Sequence, residues 1–190
     1  MFNREKLKMM LENQQDSEEF KSRFQLREIK LVKIGEPKPY ARERYTRFGK
    51  NGKGRFYNKR ASYMQELKEE FQQQRSTDDV NLINTLIKHK DDYPYYVEVS
   101  GKFYIGIPMS DSLKTAYLKA SNALRPTNNR GDADNYIKLV LDSLHDVLYE
   151  DDKHVIKITS EKFYSLEPRM ELTAKIFFLN EAIQNEEESN

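Results

Sequence analysis

Aspartates and a lysine between residues 132 and 152 have the types and spacing that metal-assisted hydrolysis of a phosphate ester needs. Asp134, Lys138 and Asp142 are four residues apart, so a helix would place them in one stripe. Asp132 comes just before that stripe, and Asp151–Asp152 follow it. Carboxylates hold Mg²⁺ while leaving positions for water and a substrate oxygen, and a nearby lysine offsets negative charge in the transition state.

Each part of this pattern also has a structural interpretation. Asp132 alone is typical of a helix N-cap, and the spaced Asp134, Lys138 and Asp142 are typical of an exposed ion-pair ladder. Asp151–Asp152 alone is typical of a turn. The choice between metal site and scaffold therefore depends on whether the parts meet in the fold.

The elements that must position these residues follow from the apolar periodicity. Ile137, Val140, Leu141, Leu144 and Leu148 repeat at helical spacing and predict a buried helix face over 134–148. The same kind of pattern predicts the other helices and strands, with the turn Ser165–Pro168 joining the last two strands. Helices are expected at 58–74 (with Asn58 as a cap), 80–90 and 111–124, and strands at 28–34, 95–108, 154–163 and 169–179.

Composition excludes several kinds of site. The 190 residues include no cysteine and three histidines, which excludes disulfides, thiolate zinc sites and a cysteine nucleophile. A metal would therefore be held by oxygen ligands, which favours magnesium, manganese or calcium. The chain has no long apolar run and no apolar signal segment at its start, so we expect a cytoplasmic protein that does not enter membranes.

Positive charge is concentrated in one segment, although the formal net charge is only +1. Between Arg27 and Arg60 there are twelve Lys or Arg residues and three acids. Such a zone is typical of a phosphate-binding surface, and equally of a solvated basic loop, which Gly49, Gly52 and Gly54 would make flexible. Five aromatic residues in the segment are candidates for stacking on bases or for ordinary packing. They are Tyr40, Tyr45, Phe48, Phe56 and Tyr57.

The acidic motif resembles the signature of the RusA family of crossover-junction endodeoxyribonucleases. In this chain the motif is Asp132-x-Asp134-Asn135-x-x-Lys138, then Asp142-x-Leu144, then Asp151–Asp152 before a strand. The resemblance extends back to a first strand followed by prolines and to Tyr63 near a helix start, and forward through Lys162. It covers about residues 28–179, of which 132–152 is the specific part.

The resemblance implies a site and a cofactor. Asp132, Asp134 and Asp152 would bind Mg²⁺, with Mn²⁺ as a substitute and Asp151 as a further candidate ligand. Lys138 would be catalytic together with these three aspartates, Asn135 structural, and Asp142 and Asp151 either helpers or scaffold. The basic residues expected to contact DNA are Arg42, Arg44, Arg47, Lys50, Lys53, Arg55, Lys59, Arg60 and Arg130.

The implied protein is a homodimeric, magnesium-dependent hydrolase that cuts four-way (Holliday) junctions in DNA recombination and repair. Its fold would be a single α/β domain, with an α+β mixed sheet and flanking helices, over residues 28–180. A helical arm (1–27) would precede it and an acidic tail (181–190) would follow. Two alternatives stay open: a nuclease for flaps or forks, and a DNA-binding protein of the same fold that does not cut.

Overall fold

The computed structural model of the chain describes residues 20–41, 44–47, 54–57, 60–127 and 131–179, with the backbone alone for 44–47 and 54–57. Six strands lie in these ranges: β1 (Phe24–Ile34), β2 (Arg44–Arg47), β3 (Gly54–Tyr57), β4 (Tyr95–Gly106), β5 (Val155–Ser165) and β6 (Arg169–Leu179). Four α-helices accompany them: α1 (Ala61–Gln74), α2 (Thr77–Lys88), α3 (Leu113–Ala120) and α4 (Ala133–Leu144). Residues 20–22 are also helical. A 3₁₀ turn at Asp152–His154 leads into β5.

A four-stranded mixed sheet in the order β1-β6-β4-β5 organises the domain. The strand β6 is antiparallel to both of its neighbours, whereas β4 and β5 are parallel. Parallel neighbours require a crossover connection, and here α3 and α4 form it. The predicted mixed α/β domain is therefore confirmed.

The helices cover one face of the sheet and leave the other face open. Strand β4 alternates buried and partly exposed residues, and Val97, Val99 and Phe103 point into the core. The helix α1 packs on α4 and on β1, and α4 packs on β5. Gly101 on β4 permits this packing, because a Cβ there would lie 2.8 Å from the Ile137 side chain of α4.

Helix α2 is anchored to the first strand by a network around one carboxylate. Ser76 and Asp79 form a capping box at the start of α2. Asp79 is almost buried and also accepts a 2.6 Å hydrogen bond from Arg27 Nε of β1. Burial opposes ionisation of Asp79, but the hydrogen bonds from Ser76 and Arg27 outweigh it and lower its pKa.

Several predicted boundaries are wrong by a few residues, and each shift has a local cause. Helix α1 begins after Arg60, so Asn58, which lies outside the described residues, is not adjacent to it. Helix α4 ends at Leu144 rather than at 148, because His145 is extended and Asp146 has a positive φ of 59°. Leu148 is nevertheless buried, within the turn that follows.

The basic segment differs most from expectation. Instead of a loop throughout, its described backbone forms an antiparallel hairpin in which Arg44–Arg47 of β2 pairs with Gly54–Tyr57 of β3. Other strands match their predictions closely: β6 spans the predicted residues, and β1 extends the prediction back to Phe24. None of the helices in the described ranges has the length and apolar content to cross a membrane. The proposed arm up to residue 19 and the tail from residue 181 lie outside these ranges.

Candidate active site

The first functional aspartate lies at a tight junction between a glycine and helix α4. Asp132 occupies the N-cap position, yet its side chain accepts no capping hydrogen bond. Gly131 before it has a φ of +95°, and a Cβ there would lie 2.7 Å from the Pro39 side chain. The Asp132 carboxylate is therefore not used for capping, and the structural interpretation of this residue loses its main argument.

Side chains from other elements hold the backbone of this junction. Lys162 of β5 donates to the Gly131 carbonyl at 2.7 Å, and Ser160 of β5 donates to the Ala133 carbonyl at 2.7 Å. On the opposite side, the Tyr40 amide donates to the Asn135 carbonyl at 2.8 Å. The start of α4 is thus fixed between an edge strand and the segment that leads into the basic hairpin.

The stripe predicted on α4 is present and exposed. Asp134, Lys138 and Asp142 lie on the solvent side of the helix, opposite buried Ile137, Val140 and Leu144. The rise of a helix separates Asp134 from Asp142 by about 12 Å along the axis. These side chains therefore form a row rather than a compact cluster.

Lys138 is oriented by an aromatic ring. Its Nζ lies over the Tyr40 ring, 4.4 Å from the centroid. Burial raises the pKa of Asp142, and the charge of Lys138 opposes that rise without a hydrogen bond between the two side chains. The simple ladder of hydrogen-bonded ion pairs is therefore not how Lys138 and Asp142 interact.

A cavity of about 330 Å³ lies where the second half of α4 meets the turn before β5, and acidic groups surround it. Asp142 is exposed at the surface but its carboxylate is partly buried, and this partial burial raises its pKa. The charge of Asp152 raises it further, and Lys138 opposes the rise. Burial also raises the pKa of Tyr149, again with help from Asp152 and Asp142, while the Tyr149 hydroxyl donates to the Leu141 carbonyl at 2.9 Å. Asp142 and Asp152 therefore line the same cavity, where the charge of Asp152 affects the pKa of Asp142. The residues lining the cavity are Leu141, Asp142, His145, Tyr149, Glu150, Asp151 and Asp152.

The two members of the acidic pair have different environments. Asp151 is the cap of the 3₁₀ turn, where its carboxylate accepts from the Lys153 amide at 3.0 Å, and this bond lowers its pKa. Asp152 is exposed and is not used as that cap. This difference favours Asp152 over Asp151 as the functional member of the pair.

The donor chemistry suits a hard cation, although the geometry is not that of a closed metal centre. No three carboxylate or imidazole side chains in the described ranges converge closely enough to enclose a metal ion. Asp132, Asp134 and Asp152 offer exposed oxygen ligands, and the charge of Asp152 raises the pKa of Asp142, an effect that a divalent cation would counter. The oxygen atoms of the proposed ligands are of the type that Mg²⁺ prefers, and their arrangement around the ion stays a prediction.

Four of the nine predicted DNA contacts lie within the described residues, in or beside the basic hairpin. Arg44, Arg47 and Arg55 lie on β2 and β3, and Arg60 immediately precedes α1. Arg60 also donates to the Pro39 carbonyl, at 3.3 Å, close to the start of α4. The remaining candidates, Arg42, Lys50, Lys53, Lys59 and Arg130, lie outside the described residues.

Two histidines lie near the acidic residues, His154 as a packing residue and His145 as a surface residue. His154 stacks on Tyr95 with ring centroids 4.1 Å apart. His145 is about half exposed and pairs with Asp146 at 3.0 Å, although it also lines the acidic cavity. Tyr40, Ser160 and the cavity role of Asp142 were not predictable from spacing, since each depends on contacts between distant segments.

Comparison with known proteins matches this arrangement to one family. A family model described as Endodeoxyribonuclease RusA matches residues 35–175, which include the start of α4, the acidic stripe and most of β5 and β6. A Bacillus subtilis (strain 168) protein named Uncharacterized protein YqaN is 40% identical over 78 residues, which cover 40% of this chain and 54% of that protein. The chain thus spans about half the length of this curated relative. Because the family match covers most of the chain, this protein belongs to the RusA endodeoxyribonuclease family.

Proposed function

We propose that the protein is a magnesium-dependent endodeoxyribonuclease that resolves four-way (Holliday) junctions in DNA recombination and repair by paired phosphodiester hydrolysis. The observation that carries this proposal is the exposed acidic row on α4, which begins at the uncapped Asp132 and reaches the Asp142–Asp152 pair. Like charges that follow one another along an exposed surface cost stability, so a metal-binding role accounts for them better than a scaffold role does.

The residues of the row would divide the chemistry between them. Asp132, Asp134 and Asp152 would hold Mg²⁺, which activates a water and stabilises charge on the phosphate when it is bound. Lys138, restrained over Tyr40, would place a compact ammonium beside the scissile phosphate. Asn135 would serve through its backbone, whose carbonyl accepts from Tyr40 and so connects the helix start to the 37–41 segment.

The basic hairpin would bind the phosphates next to this row. Arg60 joins the two regions, because it donates to the Pro39 carbonyl while Pro39 packs at Gly131. A positive segment adjacent to a negative row is what a nuclease needs, since the first attracts the DNA backbone and the second holds the cation. The proposed partner is therefore branched DNA.

A homodimer would supply the second cut. A four-way junction has approximate two-fold symmetry, so a dimer with two-fold symmetry would present one row of aspartates to each of two opposed strands. The two cuts would then release nicked duplexes without gaps.

The proposal is tested by comparing a synthetic four-way junction with a flap, a fork and a linear duplex, each with Mg²⁺ or with EDTA. We expect symmetric cleavage of the junction only with Mg²⁺. Preferential cutting of flaps or forks would assign the same site to another structure-specific nuclease. Tight junction binding without cleavage in Mg²⁺ or Mn²⁺ would instead identify a non-cleaving DNA-binding protein.

A further inference from the structure

We infer that Ser160 and Lys162 of β5 are positioning residues that hold Asp132 in the orientation needed for metal binding. This inference rests on the proposed function and extends it to two residues that touch neither metal nor DNA in that proposal. Their contacts are specific: Ser160 Oγ donates to the Ala133 carbonyl, and Lys162 Nζ donates to the Gly131 carbonyl, both at 2.7 Å. The two carbonyls are those of the residues on either side of Asp132.

The position of these side chains in the sheet makes the contacts possible. Ser160 is in register with Gly101 and Lys162 with Phe103, and both of these β4 residues are buried on the helix-covered face. Ser160 and Lys162 therefore point under α4, away from the open face. A lysine turned toward the helix side of an edge strand has to find a polar partner, and the Gly131 carbonyl is that partner.

Asp132 is held locally through its backbone carbonyl, which accepts from the Asn135 and Tyr136 amides at 3.1 and 3.3 Å. Its side chain makes no capping bond, and Gly131 has a backbone conformation that most residues avoid. Glycine adopts this conformation without strain and is conformationally free, so the junction needs other contacts to restrain it. Two side-chain donors on the flanking carbonyls provide that restraint, in the way that outer-sphere hydrogen bonds orient the ligands of metal sites.

Metal affinity is the decisive measurement, because the loss of the Lys162 charge and the loss of positioning would change the affinity for the cation in opposite directions. Removing the Lys162 ammonium takes a positive charge away from nearby carboxylates, which by itself would strengthen cation binding. Loss of positioning would weaken it, by about tenfold where an outer-sphere partner of a metal ligand is removed. Ser160→Ala changes no charge and isolates the positioning effect.

The experiment measures Mn²⁺ binding to the full chain from the decrease of the free-ion electron paramagnetic resonance signal. Ser160→Ala and Lys162→Met are compared with Thr159→Ala and Lys157→Met, whose altered side chains lie on the open face of the same strand. We expect about tenfold weaker Mn²⁺ binding in the first pair, unchanged binding in the second, and near wild-type binding in Ser160→Thr, which keeps the hydroxyl. Junction binding without divalent ions should be unchanged in all of them.

The outcomes separate this inference from the proposed function. One outcome is that Asp132→Asn loses Mn²⁺ binding while Ser160→Ala and Lys162→Met bind Mn²⁺ as the wild type does. Another is that Lys162→Met binds Mn²⁺ more tightly than the wild type. Either outcome would show that the positioning role is wrong and that the metal site is correct. If the wild-type chain binds no Mn²⁺, both proposals are wrong. Thermal melting of each variant establishes that it is folded at the assay temperature. If Lys162→Met does not fold, Mn²⁺ binding by Ser160→Ala alone tests the positioning role.

Discussion

At the scale of single residues, the proposed chemistry depends on carboxylates that the backbone does not use. Asp132 illustrates this, because it occupies a capping position without capping, whereas Asp151 is used as a cap. Residue type and spacing alone could identify both as candidates. Only the hydrogen bonds of the folded chain distinguish one from the other.

The first residue-scale prediction concerns Asp132→Asn and Asp134→Asn. We expect each to abolish junction cleavage in Mg²⁺ while junction binding persists or tightens, because the lower charge weakens the metal site and reduces repulsion of phosphate. Cleavage assays and gel-shift titrations of the same preparations measure the two effects. Cutting at the wild-type rate by either variant would show that the site has been assigned to the wrong residues.

Lys138 provides a second prediction at this scale. Lys138→Ala should reduce the cleavage rate on the order of a hundredfold if the ammonium offsets charge at the phosphate, with folding intact. Lys138→Arg should also cut poorly, although its guanidinium can stack on Tyr40 and preserve the fold, since a planar head cannot replace a compact ammonium.

Single-turnover cleavage rates and thermal melting of the two Lys138 variants provide the comparison. A purely structural lysine would give full activity in Lys138→Arg and a decrease in stability of at most about 0.5 kcal/mol in Lys138→Ala. That pair of results would leave catalysis to the aspartates and the metal.

At the scale of elements, local patterns predict the secondary structure well where burial alternates and poorly where conformation depends on single residues. The strand at 169–179 is predicted to its ends because its apolar residues alternate with few interruptions. The end of α4 is missed because Leu148 continues the apolar period although the helix has already stopped at Leu144. The hairpin of β2 and β3 is not predicted, because glycines and charged residues interrupt the alternating apolar pattern from which strands are recognised.

The acidic row is similarly predictable only in part. The spacing of Asp134, Lys138 and Asp142 places them on one stripe of any helix, and the structure confirms that stripe. The placement of Asp152 beside Asp142 depends on where β5 enters the sheet, and the support of Asp132 by Ser160 depends on register. Such contacts between distant segments have no periodic signal in a single sequence.

The basic hairpin gives the first element-scale prediction. Changing Arg42, Arg44 and Arg47 together to Ala should weaken junction binding and reduce the dependence of log K on log salt, by about one for each phosphate that is no longer neutralised. The matched control changes Lys30, Lys102 and Lys175 on the open sheet face to Ala and should leave the slope unchanged. Equal slopes for wild type and the arginine triple variant would return this segment to the interpretation of a solvated basic loop.

The anchor of α2 gives a prediction about stability and pH. Asp79→Asn should lower the free energy of unfolding by about 2 kcal/mol at neutral pH, because the buried carboxylate accepts from both Arg27 and Ser76. Its folded-state pKa is lowered, so this stabilisation is fully present above the ordinary pKa of about 3.9 and disappears as pH falls through the folded value.

Urea unfolding should therefore show that the difference in free energy of unfolding between wild type and Asp79→Asn becomes smaller as the pH falls into the acid range. Asp78→Asn is the control, since Asp78 is adjacent and exposed, and it should show a smaller effect at every pH. If the difference in free energy of unfolding stayed constant across the acid range, the ionised carboxylate would not be the source of the stabilisation.

At the scale of the whole molecule, the proposed pairing of two subunits predicts coupled strand cleavage. Mixed dimers with one wild-type and one Asp132→Asn subunit should nick a cruciform plasmid without linearising it, since only one active row faces the junction. Wild-type dimers carrying the same purification tags should linearise it. Sedimentation as a monomer at assay concentrations, or linear product from mixed dimers, would contradict the paired mechanism.

The order of strands in the sheet also has a consequence for the synthesis of the protein. The strand β6 lies between β1 and β4 although it follows both in the chain, so those two strands have no partner between them until translation has passed residue 179. A nascent chain emerges from the ribosome amino terminus first. The sheet that supports α4 is therefore complete only after residues 132–152 have been translated. Under the proposed function, a product terminated before β6 would lack the complete sheet on which the cleavage site assembles.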